Sequence, residues 1–238
     1  NLNGNTLSGN IAITNRGTIK EISNGTIVTD NNGIINYGTI ENLNNLTINS
    51  ERIAINNKGT INEAKNLVID ARFYPIYLDN GTIKLLEDNQ VVGHYQSGIY
   101  LDGTSTIENI ASGSYVTYGD KPDAGNSISG FGLYISTNSV IKEISGGSFQ
   151  GNQVAVANYG NIETISGGEF LKKIENNIWT MKWTFGYDGA ISKITGGKFY
   201  SYNGELSGIF RYTRQNTIAA GFRYDGPDSD GYFTVVAE

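Results

Sequence analysis

Gly17-Thr18-Ile19, Gly38-Thr39-Ile40, Gly59-Thr60-Ile61 and Gly81-Thr82-Ile83 repeat one phrase, and degenerate copies end at Ile107, Ile141, Ile162 and Ile191. With these isoleucines as anchors, successive separations are 21, 21, 22, 24, 34, 21 and 29 residues. Three positions on lie Ile22, Leu43, Ala64, Leu86, Ile110, Ile144, Ile165 and Ile194. Eight positions on lie Ile27, Ile48, Ile69, Val91, Tyr115, Phe149, Phe170 and Phe199. Both columns are apolar in every copy. Ahead of the anchor, alternating pairs recur as Ile11/Ile13, Ile53/Ile55, Ile76/Leu78, Ile99/Leu101, Leu133/Ile135 and Val154/Val156, the period of a strand with one buried face. Each repeat thus predicts three short strands, which bury a continuous core only by stacking on the next repeat. The pattern predicts an all-β parallel β-helix. It is a three-sided solenoid of about eight rungs of about 21 residues, roughly 40 Å long at about 4.8 Å per strand spacing. The leucine-rich-repeat horseshoe shares the period, but its Leu and Asn signature is absent.

Composition agrees. Ile outnumbers Leu 30 to 12, and 29 Asn, 20 Thr and 31 Gly accompany them in 238 residues, so β-branched and turn-forming residues dominate. A Leu-rich helical protein is excluded. With 23 acidic against 17 basic residues and a net charge of −6, there is no electrostatic footprint for nucleic acid or an anionic membrane surface. The absence of Cys rules out disulfides, thiolate metal sites and a cysteine nucleophile. No apolar run approaches the roughly 18 residues that cross a bilayer, and no signal peptide is visible, so no membrane insertion is expected. The chain starts at Asn1 rather than Met, and Leu2 and Leu7 share the spacing of Ile22 and Ile27. The expectation is a chain that opens in mid-rung and forms part of a longer surface protein.

The corners have their own columns. Two positions before the anchor stand Gly17, Gly38, Gly59, Gly81, Ser105, Ser139, Gly160 and Gly189, as a tight turn with positive φ would want. Four positions before it, Asn15, Asn36, Asn57, Asp79 and Asn158 predict a ladder of stacked side-chain amides. One position after it, Lys20, Glu41, Asn62, Lys84, Glu108, Lys142, Glu163 and Ser192 mostly alternate in sign, a solvated ladder that disfavours slipped registers. The threonines from Thr18 to Thr106 adjoin that charged column and so make no flat ice-binding lattice. Residues 204–238 leave the register after Ile218 and carry Phe210, Tyr212, Phe222, Tyr224, Tyr232 and Phe233. They are read as a C-terminal cap on a repeat region spanning 1–203.

Ile144-Ser-Gly-Gly-Ser-Phe149, Ile165-Ser-Gly-Gly-Glu-Phe170 and Ile194-Thr-Gly-Gly-Lys-Phe199 resemble the Gly-Gly-x-Phe repeats of large bacterial cell-surface proteins. Those are similar in architecture to right-handed, pectin-lyase-like β-helices. The resemblance implies a right-handed coil and a secreted or cell-surface, Gram-positive-type setting.

Catalytic signatures are sparse. His94 is the only His, which leaves no Ser-His-Asp relay and no multi-histidine metal site. Pectin-lyase-like enzymes act through acidic clusters with Ca²⁺ and a basic residue, or through paired carboxylates, and neither cluster stands out. Asp30 after Thr29 is a dipeptide match in an Asn/Asp-rich turn. Asp225-Gly-Pro-Asp228-Ser-Asp230-Gly231 looks like a Ca²⁺ loop but lacks the distant bidentate Glu, and is read as a solvated turn. No cofactor, metal site or catalytic residue is assigned.

Insertions are the informative irregularity. From the second-strand core residue to the next core residue takes five residues after Ile48 and after Phe149, but 18 after Tyr115 and 13 after Phe170. The connection is also lengthened after Val91 and Phe199. All four fall at one corner, and insertions at one corner of a solenoid often form its binding face. They carry His94, Tyr95 and Gln96; Tyr118, Asp120, Lys121 and Asp123; Asn177, Trp179 and Lys182; and Tyr200, Tyr202 and Asn203. Tyr95, Tyr118, Asp120, Asp123, Trp179, Tyr200 and Tyr202 are the candidate ligand-binding residues, since rings with amides and carboxylates suit sugars and protein hot spots alike. Ile174, Ile178, Trp179 and Met181 have the alternative role of roofing the core. The expected function is a non-catalytic adhesin or binding module for an extracellular glycan or host protein. The alternative is a polysaccharide lyase or glycoside hydrolase.

Overall fold

A computed structural model describes residues 1–119, 130–171, 184–210 and 216–238. Stacked parallel strands form a β-solenoid of about seven turns, the number of chain segments that join eight stacked anchors. On the first face, Ile19, Ile40, Ile61, Ile83, Ile107, Ile141, Ile162 and Ile191 pair directly, each with the next. On the second face the column from Ile27 to Phe199 pairs in the same way. Side chains alternate in and out along each strand, so the two apolar columns face the lumen and, apart from the partly covered Ile19, are buried. Among the described residues no helix is long and apolar enough to cross a membrane.

The third face departs from the expected register. Ile13, Ile34, Ile55, Ile76, Ile99, Leu133, Val156 and Phe185 form its first inward column. The pairs Ile11/Ile13, Ile53/Ile55 and Val154/Val156 thus lie two residues ahead of the other three in the observed register. A two-residue slip keeps every side chain on its own face, so hydrophobic alternation cannot detect it. In the corrected register the connection is seven residues from Ile48 to Ile55 and from Phe149 to Val156, eight from Val91 to Ile99, 18 from Tyr115 to Leu133 and 15 from Phe170 to Phe185. The long connections after Tyr115 and Phe170 still fall between the second and third faces, whereas the expected insertion after Val91 amounts to a single residue.

Above the first rung, the corner glycines are required for a different reason from the expected one. Gly17, Gly38, Gly59, Gly81, Gly160 and Gly189 do not have φ in the left-handed region. Instead, a Cβ on Gly38 would stand 2.0 Å from the Gly17 carbonyl oxygen, and one on Gly59 2.1 Å from that of Gly38. The corner is packed backbone on backbone. Left-handed residues occupy the corner between the first and second faces, where Asn24, Asn45 and Asn66 have φ of 56°, 52° and 53°. In the upper rungs glycine takes over, as at Gly197 (φ 107°), where a Cβ would also meet the Phe199 ring at 3.0 Å. The Gly-Gly-x-Phe phrase is thus one packing solution, in which a core ring replaces Ile and the corner above it loses its side chain.

The amide ladder forms. Asn15 Nδ2 donates to Asn36 Oδ1 at 2.8 Å, and Asn36 Nδ2 to Asn57 Oδ1 at 2.8 Å. Each amide also donates to the carbonyls of two neighbouring turns, so these buried polar groups are satisfied. Asp79 does not join them. Leu78 pairs with Asn57 in that register, and Asp79 turns outward to Lys58 at 2.5 Å. In the charged ladder, Lys142 pairs with Glu108 at 3.2 Å. The parallel stack continues through Asn216–Ile218, and a hairpin of Phe222–Asp225 and Tyr232–Ala237 then pairs antiparallel with Lys198–Tyr200. That reversal covers the edge which a parallel strand would extend.

Candidate functional site

The third face presents aromatic rings outward. Between the inward residues Ile76 and Leu78 stands Tyr77, which pairs directly with Tyr100, and Tyr100 with Tyr134. Their ring centroids lie 5.5 and 4.3 Å apart, the second pair stacked at 7°. In the next two rungs the outward position is small, Ala157 and then Gly186. Rings from just beyond those strands lie there: Tyr159 is 5.5 Å from Tyr134, and Tyr187 stacks on Tyr159 at 4.3 Å. Tyr74 touches Tyr77 and Tyr100 at 5.2 and 5.0 Å, and Phe131 touches Tyr134 and Tyr187 at 5.8 and 6.1 Å. Seven rings thus run unbroken across five rungs. Phe131, Val154 and Ala157 seal a small apolar cluster beneath Tyr134 and Tyr187, separate from the lumen.

Burial by neighbouring rings pushes the phenols of Tyr77, Tyr100 and Tyr159 well above their ordinary value. The hydroxyls are therefore protonated hydrogen-bond donors throughout the physiological range. Tyr77 donates to Asp102 Oδ2 at 3.0 Å, while Asp102 Oδ1 accepts from the Gly103 amide at 2.9 Å. The hydroxyl of Tyr100 neighbours that of Tyr134, and the hydroxyl of Tyr159 that of Tyr187. Asp79 is the register partner of Asp102. Its hydrogen bond holds the Lys58 ammonium above its ordinary range, and the same ammonium lies 5.9 Å from the exposed Tyr37 ring. Two carboxylates and one lysine thus converge beside the tyrosines, on the corner between the third and first faces rather than in a groove.

The expected ligand-binding residues divide. Tyr118 is 41% exposed and sits 6.2 Å from the His94 ring, which pairs with Asp70 at 3.0 Å. Tyr95 is 7% exposed, packed edge-on to Phe73 at 5.1 Å beneath the Arg72 guanidinium. It roofs the corner instead of presenting its ring. Tyr202 is exposed, and Tyr200 lies edge-on to Tyr232 at 5.3 Å. Asp120, Asp123 and Trp179 lie outside the described residues, as do Lys121, Asn177 and Lys182. In the C-terminal acidic turn, Asp228 Oδ1 accepts from the amides of Asp230 and Tyr232 at 3.0 and 2.9 Å, which lowers its pKa. Its other oxygen faces Lys198 at 3.5 Å. Those bonds use the carboxylate to close the turn. Among the described residues no group of three or more His, Cys, Asp or Glu is placed to hold a metal ion. An open groove of about 450 Å³ runs over the Gly-Gly corners, lined by glycine backbone with Ser148, Glu169 and Lys198.

The tyrosine row had a readable signal that sequence reasoning missed. Ile76-Tyr77-Leu78, Ile99-Tyr100-Leu101 and Leu133-Tyr134-Ile135 each place a tyrosine between two inward residues, so period-2 alternation turns all three outward on one face. Comparison with protein-family models, curated proteins and solved structures gave no match.

Proposed function

We propose that this chain is a non-catalytic binding module of a secreted or cell-surface bacterial protein. It holds an extracellular glycan or host protein against the tyrosine-lined third face and the insertion corner beside it. The observation that carries the reading is the unbroken run of rings from Tyr74 to Tyr187, six tyrosines with the buried Phe131 packed among them, mounted on a parallel stack. The lumen has its own columns, so beyond the small cluster of Phe131, Val154 and Ala157 the row is additional to the core. Rings with hydroxyl and carboxylate groups at their rim are the composition of recognition surfaces. The Gly-Gly-x-Phe phrases support the bacterial-surface setting and the right-handed, pectin-lyase-like coil.

A second reading, a polysaccharide-cleaving β-helix, is favoured by Asp79, Asp102 and Lys58. Against it, Asp79 is committed to Lys58 and Asp102 to Tyr77 and Gly103, so neither carboxylate is poised as a free acid or base. The test is to incubate the chain with polysaccharide and host-matrix panels and to assay both retention and chain scission. Retention of an uncleaved ligand that falls with Tyr100→Ala is expected. New reducing or unsaturated ends that disappear with Asp102→Asn would establish the second reading instead.

A further inference from the structure

Resting on that reading, we propose that the third face binds a neutral, linear glycan laid along the rod axis, held mainly by hydrogen bonds with the tyrosine hydroxyls and by contact with the ring edges. Stacking covers one face of each of four rings. Tyr100 and Tyr134 cover each other at 4.3 Å and 7°, and Tyr159 and Tyr187 at 4.3 Å and 23°. The hydroxyls of Tyr100 and Tyr134 pair with each other, as do those of Tyr159 and Tyr187; each pair uses one O–H and leaves the other to donate to a ligand, and a polyol offers a donor and an acceptor at every hydroxyl.

Size selects against a protein partner. The ring-bearing part of the face comprises five of its eight strands, the widest being Tyr74–Asp79 and Ser97–Asp102. At about 4.8 Å between strands and about 3.3 Å per residue it covers roughly 300 Å². A stable protein complex, including one with a second copy of this chain, buries about 800 Å² on each side. Several sugar units in line need no more than this strip. Charge selects against acidic glycans, because Asp102 and Asp188 border the rings, the nearby Lys58 is engaged by Asp79, and the chain carries a net charge of −6.

The experiment is calorimetric titration of the intact chain with cello-, manno- and xylo-oligosaccharides of increasing length, with oligogalacturonate and chitosan oligosaccharide as charged counterparts. One neutral series should bind, with affinity rising until the ligand spans the face, and oligogalacturonate should not bind. Tyr100→Phe and Tyr134→Phe keep the stack and should melt like the parent. Each should weaken binding about 3- to 10-fold, the effect of one lost hydrogen bond. Failure of every neutral series, preference for either charged glycan, or indifference to both Phe variants overturns the inference. A protein ligand lost on Tyr100→Ala would overturn it while leaving the binding-module reading intact. A ligand indifferent to every substitution on this face would overturn both.

Discussion

Phe149 is fully buried and lies between Tyr115 and Phe170, each 5.3 Å away by ring centroid and within 15° of parallel. Phe149→Ala removes both stacking contacts, about 0.5–1.5 kcal/mol each beyond area burial, and leaves a ring-sized hole in the lumen. The backbone ladders above and below hold the rungs at about 4.8 Å, so the neighbours cannot close over it. The full cost should therefore fall at about 3–5 kcal/mol, the range for aromatic-to-Ala changes in cores that do not collapse. Urea unfolding followed by far-UV circular dichroism reads this as a lower midpoint with little change in slope. Phe149→Leu, which refills most of the volume, should recover more than half of the loss. A cost under about 1 kcal/mol, the scale of an unremarkable substitution, would refute the stacked lumen and its register.

The corner glycines offer an internal control. Gly59→Ala forces a Cβ to 2.1 Å from a carbonyl oxygen and should cost about 1–3 kcal/mol by overpacking. Gly17, in the same column, has nothing within 4 Å of a built Cβ, so Gly17→Ala should stay within about 0.5 kcal/mol of the parent; equal losses in urea melts would contradict the backbone-contact explanation. Asn36→Asp puts a carboxylate where the Asn36 amide donates to Asn57 Oδ1 and the Thr60 carbonyl. It should destabilise more at pH 7 than at pH 4, because only the protonated acid can donate, and a flat pH profile would sink the ladder argument. Burial raises the phenol of Tyr224 to about 12 and those of Tyr77, Tyr100, Tyr115 and Tyr159 above their ordinary value. A raised folded-state pKa contributes stability present below about pH 10 and lost as pH rises toward the folded value. The tyrosinate absorbance of these five should thus appear together with unfolding above about pH 10, and ionisation of the whole set in a still-folded chain would show that the rings are not buried.

The two strand columns behind the anchor were legible because they are apolar in every repeat at fixed offsets, and each pairs as spaced, from Ile22 to Ile194 and from Ile27 to Phe199. The third face was less legible because Ile11, Ile53 and Val154 are apolar at a corner, which hides a two-residue slip that alternation tolerates. The corner glycines were legible as glycines but not in their cause, since close approach of stacked backbones is a property of the assembled rod. The site was legible only in part. Tyr77, Tyr100 and Tyr134 follow from alternation, whereas Tyr159 and Tyr187 join them across a corner, Tyr187 from a left-handed backbone at φ 77°. No spacing rule encodes that approach. Tyr95 shows the converse: a ring in an insertion reads as a ligand platform until Phe73 and Arg72 are found packed on it.

Tyrosine-selective chemical labelling with and without bound ligand, read residue by residue by mass spectrometry, tests most directly that this face is the binding surface. The account predicts protection at Tyr100, Tyr134 and Tyr159, with Tyr37, exposed beside Arg16 and Lys58 in the lower rungs, labelled equally in both states. Unchanged labelling along the row from Tyr77 to Tyr187, in a sample shown to hold its ligand, would contradict it.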